Sequence, residues 1–225
     1  MFCKRCGVEL KDGTSLCVSC GRAYEIETTQ TSKYYFVEPK MIQGVKLLLE
    51  GLNKVYPRLN LESEHLKQTP TRVARMFIEL CSGLGEDPAR HLLTSFEESN
   101  YQGIVLIKDI QFQSLCVHHF AIFRGTAHVA YIPDEKVVGL SKINRVVETY
   151  AARPQIQEQL THQVATAIYN HLHPKGVAVV IEGTHDCIEV RGVRSKGSTT
   201  KTSEMLGVFK DNYKGCKDEF MELIK

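Results

Sequence analysis

The chain has 225 residues, 43% of them hydrophobic and 24% charged, which allows one substantial core plus a small appendage. Its 28 Lys and Arg against 26 Asp and Glu leave a formal charge of +2, which argues against a general polyanion-binding surface but leaves room for a local basic pocket. No apolar run reaches membrane-spanning length and the opening Met-Phe-Cys-Lys-Arg-Cys lacks the apolar core of a signal peptide. A cytoplasmic protein is therefore expected, whose eight cysteines bind metal in preference to pairing as disulfides.

The first motif is Cys3-x-x-Cys6 and Cys17-x-x-Cys20, each pair followed by a glycine, Gly7 and Gly21. Glycine there lets the chain turn tightly enough for backbone amides to face thiolates. Two such knuckles make a closed site with four thiolate ligands, here a structural zinc, with iron in a rubredoxin-like site as the competitor. The segment is too short to fold on apolar burial, so the metal would supply its folding energy. Residues 1–25 thus read as a zinc ribbon, and the polar residues 26–38 as a linker.

From Pro39 the pattern becomes helical. Ile42, Val45, Leu48, Leu49, Leu52 and Val55 recur at helical spacing, and Pro57 closes the run. A second helix is expected from Thr69-Pro70, with threonine as N-cap, through Val73, Met76, Phe77 and Leu80 to Gly83. These two predict a helical hairpin. Ile104–Phe112 and Phe120–Ile132 then read as strands, closed by a turn at Pro133-Asp134. Helices are expected over Ser141–Ala151 and Pro154–His171, and short strands over Val177–Ile181 and Ile188–Val190. The tail from Val208 is expected to turn helical near Lys217. Strands with helices grouped apart indicate an α+β fold with an antiparallel sheet.

The residues that point to chemistry are Cys116-Val117-His118-His119 and His185-Asp186-Cys187. Thiolates and imidazoles suit a borderline-soft cation such as zinc, and two cysteines with one histidine leave a fourth position open, as catalytic sites do. Cys116 and His119 would point to opposite faces of a regular strand, so joint ligation requires a turn there. His185 and Cys187 would share one face of a strand. A closed structural zinc held by two cysteines and two histidines is the competing reading.

Two further clusters weigh against a closed zinc. Ser141, Lys142 and Arg145 sit at an expected helix start, with Ser141 as N-cap. The free amides and positive dipole end there suit an anion. Arg191 and Arg194 follow Cys187 closely, and Arg72 and Arg75 share a face of the second helix. Such cations suit a triphosphate. Gln157 and Glu158 lie near another helix start. That carboxylate is either a solvated, dipole-favoured residue or an acceptor for two adjacent N–H groups, as guanine offers.

From about Pro39 to about Asn212 the chain closely resembles GTP cyclohydrolase I. The resemblance rests on Thr69-Pro-Thr-Arg-Val-Ala-Arg75, Ser114-Leu-Cys-Val-His-His119, Gly139-Leu-Ser-Lys-Ile-Asn-Arg145, Arg153-Pro-Gln-Ile-Gln-Glu158 and His185-Asp-Cys-Ile-Glu-Val-Arg-Gly-Val193. It implies a tunnelling fold in residues 101–225 behind a helical region at 39–100, assembled as a homodecamer with active sites between subunits. It implies conversion of GTP and water to 7,8-dihydroneopterin triphosphate and formate, the first step of pterin and folate synthesis. In that reading Cys116, His119 and Cys187 resemble the zinc ligands, and His118 and His185 the proton-transfer histidines. Glu158, with Gln157 beside it, resembles the guanine anchor. Ser141, Lys142, Arg145 and Arg191 resemble the triphosphate and ribose contacts, with Arg72 and Arg75 as further phosphate contacts. The chain departs from the family's Cys-Glu-His-His motif, since Val117 stands where the acid would be. That departure and the ribbon motivate an alternative, a catalytically weakened GTP-binding homologue that recruits a partner through its ribbon.

Overall fold

A computed structural model describes residues 37–97 and 100–225. The expected ribbon, with Cys3, Cys6, Cys17 and Cys20, lies outside the described residues, as does most of the linker. The chain divides after Ile78 into two compact units.

In the first unit, helix α1 runs over Pro39–Val55, with proline in its first turn and the Glu38 carboxylate accepting from the Lys40 amide. None of its side chains is buried, and Leu47, Leu48, Leu52 and Val55 stand exposed. A short helix α2, Glu64–Lys67, capped by Ser63, precedes α3, Thr69–Leu80. Thr69 does not cap α3. Its hydroxyl donates to the His65 carbonyl at 3.4 Å, because α2 already supplies the turn before it.

The second unit is built on a five-stranded sheet in the order β5-β2-β3-β6-β7, beside a small pair β1-β4. Its strands are β1 Ser95–Glu97, β2 Val105–Cys116, β3 Ile122–Ile132, β4 Lys136–Val138, β5 Pro154–Gln155, β6 Gly176–His185 and β7 Thr200–Gly207. Its helices are α4 Leu140–Ala151, α5 Gln157–Leu172, α6 Asp186–Glu189 and α7 Cys216–Leu223. Every pairing in the large sheet is antiparallel except the two-residue contact of β5 with β2. The fold is α+β with an antiparallel sheet, as the order of elements predicts.

The central strands explain why Val177–Ile181 is apolar at every position. Val129, Tyr131, Val177, Val179 and Ile181 pack with Ile143, Val146, Leu160, Val164 and Ile168 of α4 and α5. Ala130, Ile132, Ala178 and Val180 face the other way, onto Phe209, Cys216 and Phe220 of the C-terminal segment. A strand covered on both faces has no polar face to show.

Two expectations fail here, and one strand has no counterpart among them. Ile188–Val190 is no strand, because the chain turns after His185 into the single-turn helix α6. Pro154 does not open a helix: it pairs with Leu115 in β5, and α5 begins at Gln157. The strand β7 went unread, since its mixed sequence Thr-Lys-Thr-Ser-Glu-Met-Leu-Gly suits an edge with one polar face.

Strand β2 is irregular at Asp109, where its register against β3 shifts and φ is 61°. Asp tolerates that left-handed conformation better than most residues. The Asp109 amide donates to Nδ1 of buried His128 at 3.3 Å. Burial pushes the His128 pKa below the ordinary histidine value, against the opposing pull of the Asp109 carboxylate. A pKa depressed by folding gives stability that is present in full above the unfolded value and lost as pH falls through the folded one. The urea midpoint is therefore expected to fall as pH drops from 7 to 5, and to fall less in His128→Gln. Equal pH dependence in the two proteins would remove His128 from this role.

Candidate active site

The site forms where β2, β6 and the start of α5 end together. β2 stops at Cys116, and the chain reverses through a turn in which the Phe120 amide donates to the Cys116 carbonyl at 2.8 Å. Phe120 takes a φ of 52° to complete it. This turn replaces the strand alternation that would have separated Cys116 from His119. On the other side, Phe123 of β3 pairs with His185 of β6, and α6 then carries Cys187 inward. The result brings ligand atoms of Cys116, His119 and Cys187 to within 4.8 Å of one another. His118 stays outside that trio, although its Nδ1 is 3.8 Å from Cys116 Sγ, against 3.9 Å for His119 Nδ1.

Both sulfurs are buried and neither is in a disulfide. Burial pushes the Cys187 thiol pKa up, the neighbouring Cys116 sulfur pushes it further, and the Arg191 guanidinium pulls it back. Two buried thiols and an imidazole that meet within 4.8 Å are a donor set that fits a divalent metal of zinc's softness. Three protein ligands leave room for water or substrate.

His185 is held on two sides. Its ring stacks on Phe123 with centroids 4.7 Å apart and planes 1° from parallel, and its Nε2 lies 2.8 Å from Gln157 Oε1. Burial lowers the His185 pKa, and the Glu158 carboxylate works against that. Glu158 is therefore near His185, exposed in the first turn of α5. Gln157, expected beside Glu158 as a substrate contact, is bound within the fold. Its side chain is 2% exposed, and its amide donates to the Ile181 and Thr200 carbonyls at 3.2 and 2.9 Å.

The anion candidates are distributed more widely. Lys142 and Arg145 lie in the first half of α4, but Ser141 does not cap it: Gly139 occupies the cap, with no side-chain bond. Burial lowers the pKa of His91, and Arg90, Arg145 and Lys142 add to it, against the opposing pull of Glu86, which pairs with Arg90 at 2.7 Å. Arg191 donates to the Cys187 carbonyl at 3.4 Å. Arg72 and Arg75 are exposed on α3 in the first unit.

Two residues of the site escaped sequence reasoning. Arg124 of β3 grips Asp186 with bonds of 3.0 and 2.8 Å to its two carboxylate oxygens, fixing the turn between His185 and Cys187. Phe123 supplies the ring under His185. Both act across the β3–β6 register, which no local pattern reveals.

A buried pair of thiols, an adjoining imidazole and a second histidine clamped at the end of an antiparallel sheet define a candidate metal-dependent enzyme. The family model for GTP cyclohydrolase I matches residues 46–225. The chain belongs to the GTP cyclohydrolase I family, and it is an enzyme of that family. It is 48% identical over 187 residues to GTP cyclohydrolase 1 of Desulforamulus reducens, covering 83% of this chain and 96% of that one. It is also 48% identical over 191 residues to GTP cyclohydrolase 1 of Pelotomaculum thermopropionicum, covering 84% and 98%. Against GTP cyclohydrolase 1 of Bacillus subtilis the identity is 48% over 184 residues, covering 81% and 93%.

Proposed function

We propose that this chain is a zinc-dependent enzyme that hydrolyses GTP and rearranges it to 7,8-dihydroneopterin triphosphate and formate. The observation that carries the reading is the convergence of Cys116, His119 and Cys187 within 4.8 Å, beside a positioned His185. These three residues would hold zinc, which when bound lowers the pKa of a coordinated water to about 7 and makes a nucleophile available at neutral pH.

The chain's own residues do the remaining work. Glu158 accepts two N–H bonds from the guanine edge and keeps C8 of the purine beside Cys116, His119 and Cys187, which is where positioning lowers the barrier. His185 delivers a proton to N7 as water adds at C8. The five-membered ring opens, and a second hydrolysis releases formate. His118 moves the proton on the ribose as it opens and recloses onto the base nitrogen. Lys142, Arg145 and Arg191, with Ser141, take the triphosphate, and Arg72 and Arg75 add charge from the helical region.

The sheet leaves open edges among the described residues. β7 has no outer partner, and β2 is covered only at Leu115 and Cys116. Exposed strand edges invite pairing with another chain. A ring of subunits joined edge to edge, a tunnelling fold assembled as a decamer, would close them, and α1 offers apolar side chains to such an assembly. The ribbon would add a structural zinc through Cys3, Cys6, Cys17 and Cys20. Among the described residues no helix is long and apolar enough to cross a membrane.

The deciding experiment supplies GTP to purified, zinc-loaded protein and follows pterin fluorescence and formate. Both are expected to rise together. GTP binding without either product would replace this reading with that of a binding protein. In the same assay Val117→Glu is expected to move kcat or its pH optimum, because an acid at that position can orient a neighbouring histidine and valine cannot.

A further inference from the structure

We infer that Gln157 is a positioning residue that fixes the orientation and tautomer of His185, holding Nε2–H and leaving Nδ1 to meet substrate. The inference rests on the proposed function for the substrate, but its geometry stands by itself.

The orientation of the Gln157 carboxamide follows from its partners. Its nitrogen end faces two strand carbonyls, Ile181 at 3.2 Å and Thr200 at 2.9 Å, and also the Thr202 hydroxyl at 3.2 Å. Backbone carbonyls only accept, so the NH2 group must be at that end. The oxygen end then faces His185 Nε2 at 2.8 Å. A carboxamide oxygen also only accepts, so Nε2 must carry the proton. Turning the carboxamide over would set its oxygen against two carbonyls, which the buried site does not allow. The chain of constraint runs from β6 and β7, through Gln157, to one ring nitrogen of His185.

Phe123 supports the ring from one face, with centroids 4.7 Å apart. His185 Nδ1 makes no hydrogen bond to the described residues. A Cβ at Gly183 would lie 2.8 Å from Gln157 Oε1, the far end of a side chain, and 3.4 Å from the Arg124 carbonyl. Gly183 therefore leaves the space in which the carboxamide oxygen sits, and Gly183→Ala would displace that oxygen without altering either polar residue.

The test reads tautomer and turnover separately. Solid-state 15N spectra of zinc-loaded protein carrying 15N-histidine, compared with His185→Asn to assign the signal among the nine histidines, are expected to show Nε2 protonated and Nδ1 bare. Gln157→Met and Gly183→Ala are expected to mix the two tautomers and to lower kcat about 10–100-fold, the usual loss when a histidine's orienting partner is removed, with KM for GTP nearly unchanged. In the His185→Asn background, Gln157→Met is expected to cost nothing further. A bare Nε2 in the wild type overturns the inference. So does a loss confined to KM, or an undiminished loss in the His185→Asn background. If the wild type turns over no GTP, the functional reading fails, and the wild-type tautomer spectrum still decides this one.

Discussion

Cys187→Ser is expected to lose the metal of the site and with it essentially all GTP turnover. Serine keeps the size of the side chain but is not ionised at neutral pH, so the buried site loses a thiolate that only metal binding makes worthwhile. With several kcal/mol of transition-state stabilisation gone, the rate should fall by at least about 10³-fold. Metal analysis reads the same change independently. The wild type should carry two zinc ions per chain, Cys187→Ser one, and Cys17→Ser one while still turning over GTP. Retention of both zinc and activity in Cys187→Ser would show that Cys116, His119 and Cys187 are not the ligands.

The second large effect belongs to His185→Asn. Loss of a positioned general acid typically costs about 10²–10⁴-fold, and this loss should fall on kcat. Zinc content should be unchanged, because His185 lies outside the trio that closes within 4.8 Å. Stability should fall only modestly, since the Phe123 ring keeps its packing against Phe112 at 5.8 Å. Steady-state kinetics with metal analysis separates the outcomes. A variant that binds GTP poorly but keeps its kcat would make His185 a binding group and not a proton donor.

Much of this site is legible in the sequence for a chemical reason. Cysteine and histidine at Cys116, His119 and Cys187 have few other uses in combination, so residue type alone carries the signal. The turn after Cys116 is foreseeable because a strand cannot present residues three apart on one face. The elements whose type follows from long periodicity, α1 and α3 to α5, are likewise visible. The errors fall where the local pattern is short or mixed. Ile188–Val190 has β-branched residues and reads as strand, yet the Arg124–Asp186 pair and the need to turn Cys187 inward favour a helical turn. Ser141 looks like a cap, but the chain enters α4 two residues too early for its hydroxyl to serve, with Gly139 at the cap.

Gln157 shows the boundary most clearly. From its place beside Glu158 it reads as part of a substrate anchor. In the fold it is 2% exposed and bound to β6, to the unread β7 and to His185. The sequence by itself determined the family, the α+β class and the residue types able to hold a metal, since these depend on side-chain chemistry and local period. Only the tertiary structure decided which residues orient the site: Phe123 under His185, Arg124 on Asp186, and Gln157 between two strands. Those contacts depend on the register of β3 against β6 and β6 against β7, and register is settled by packing across the whole sheet, not by any stretch of neighbouring residues.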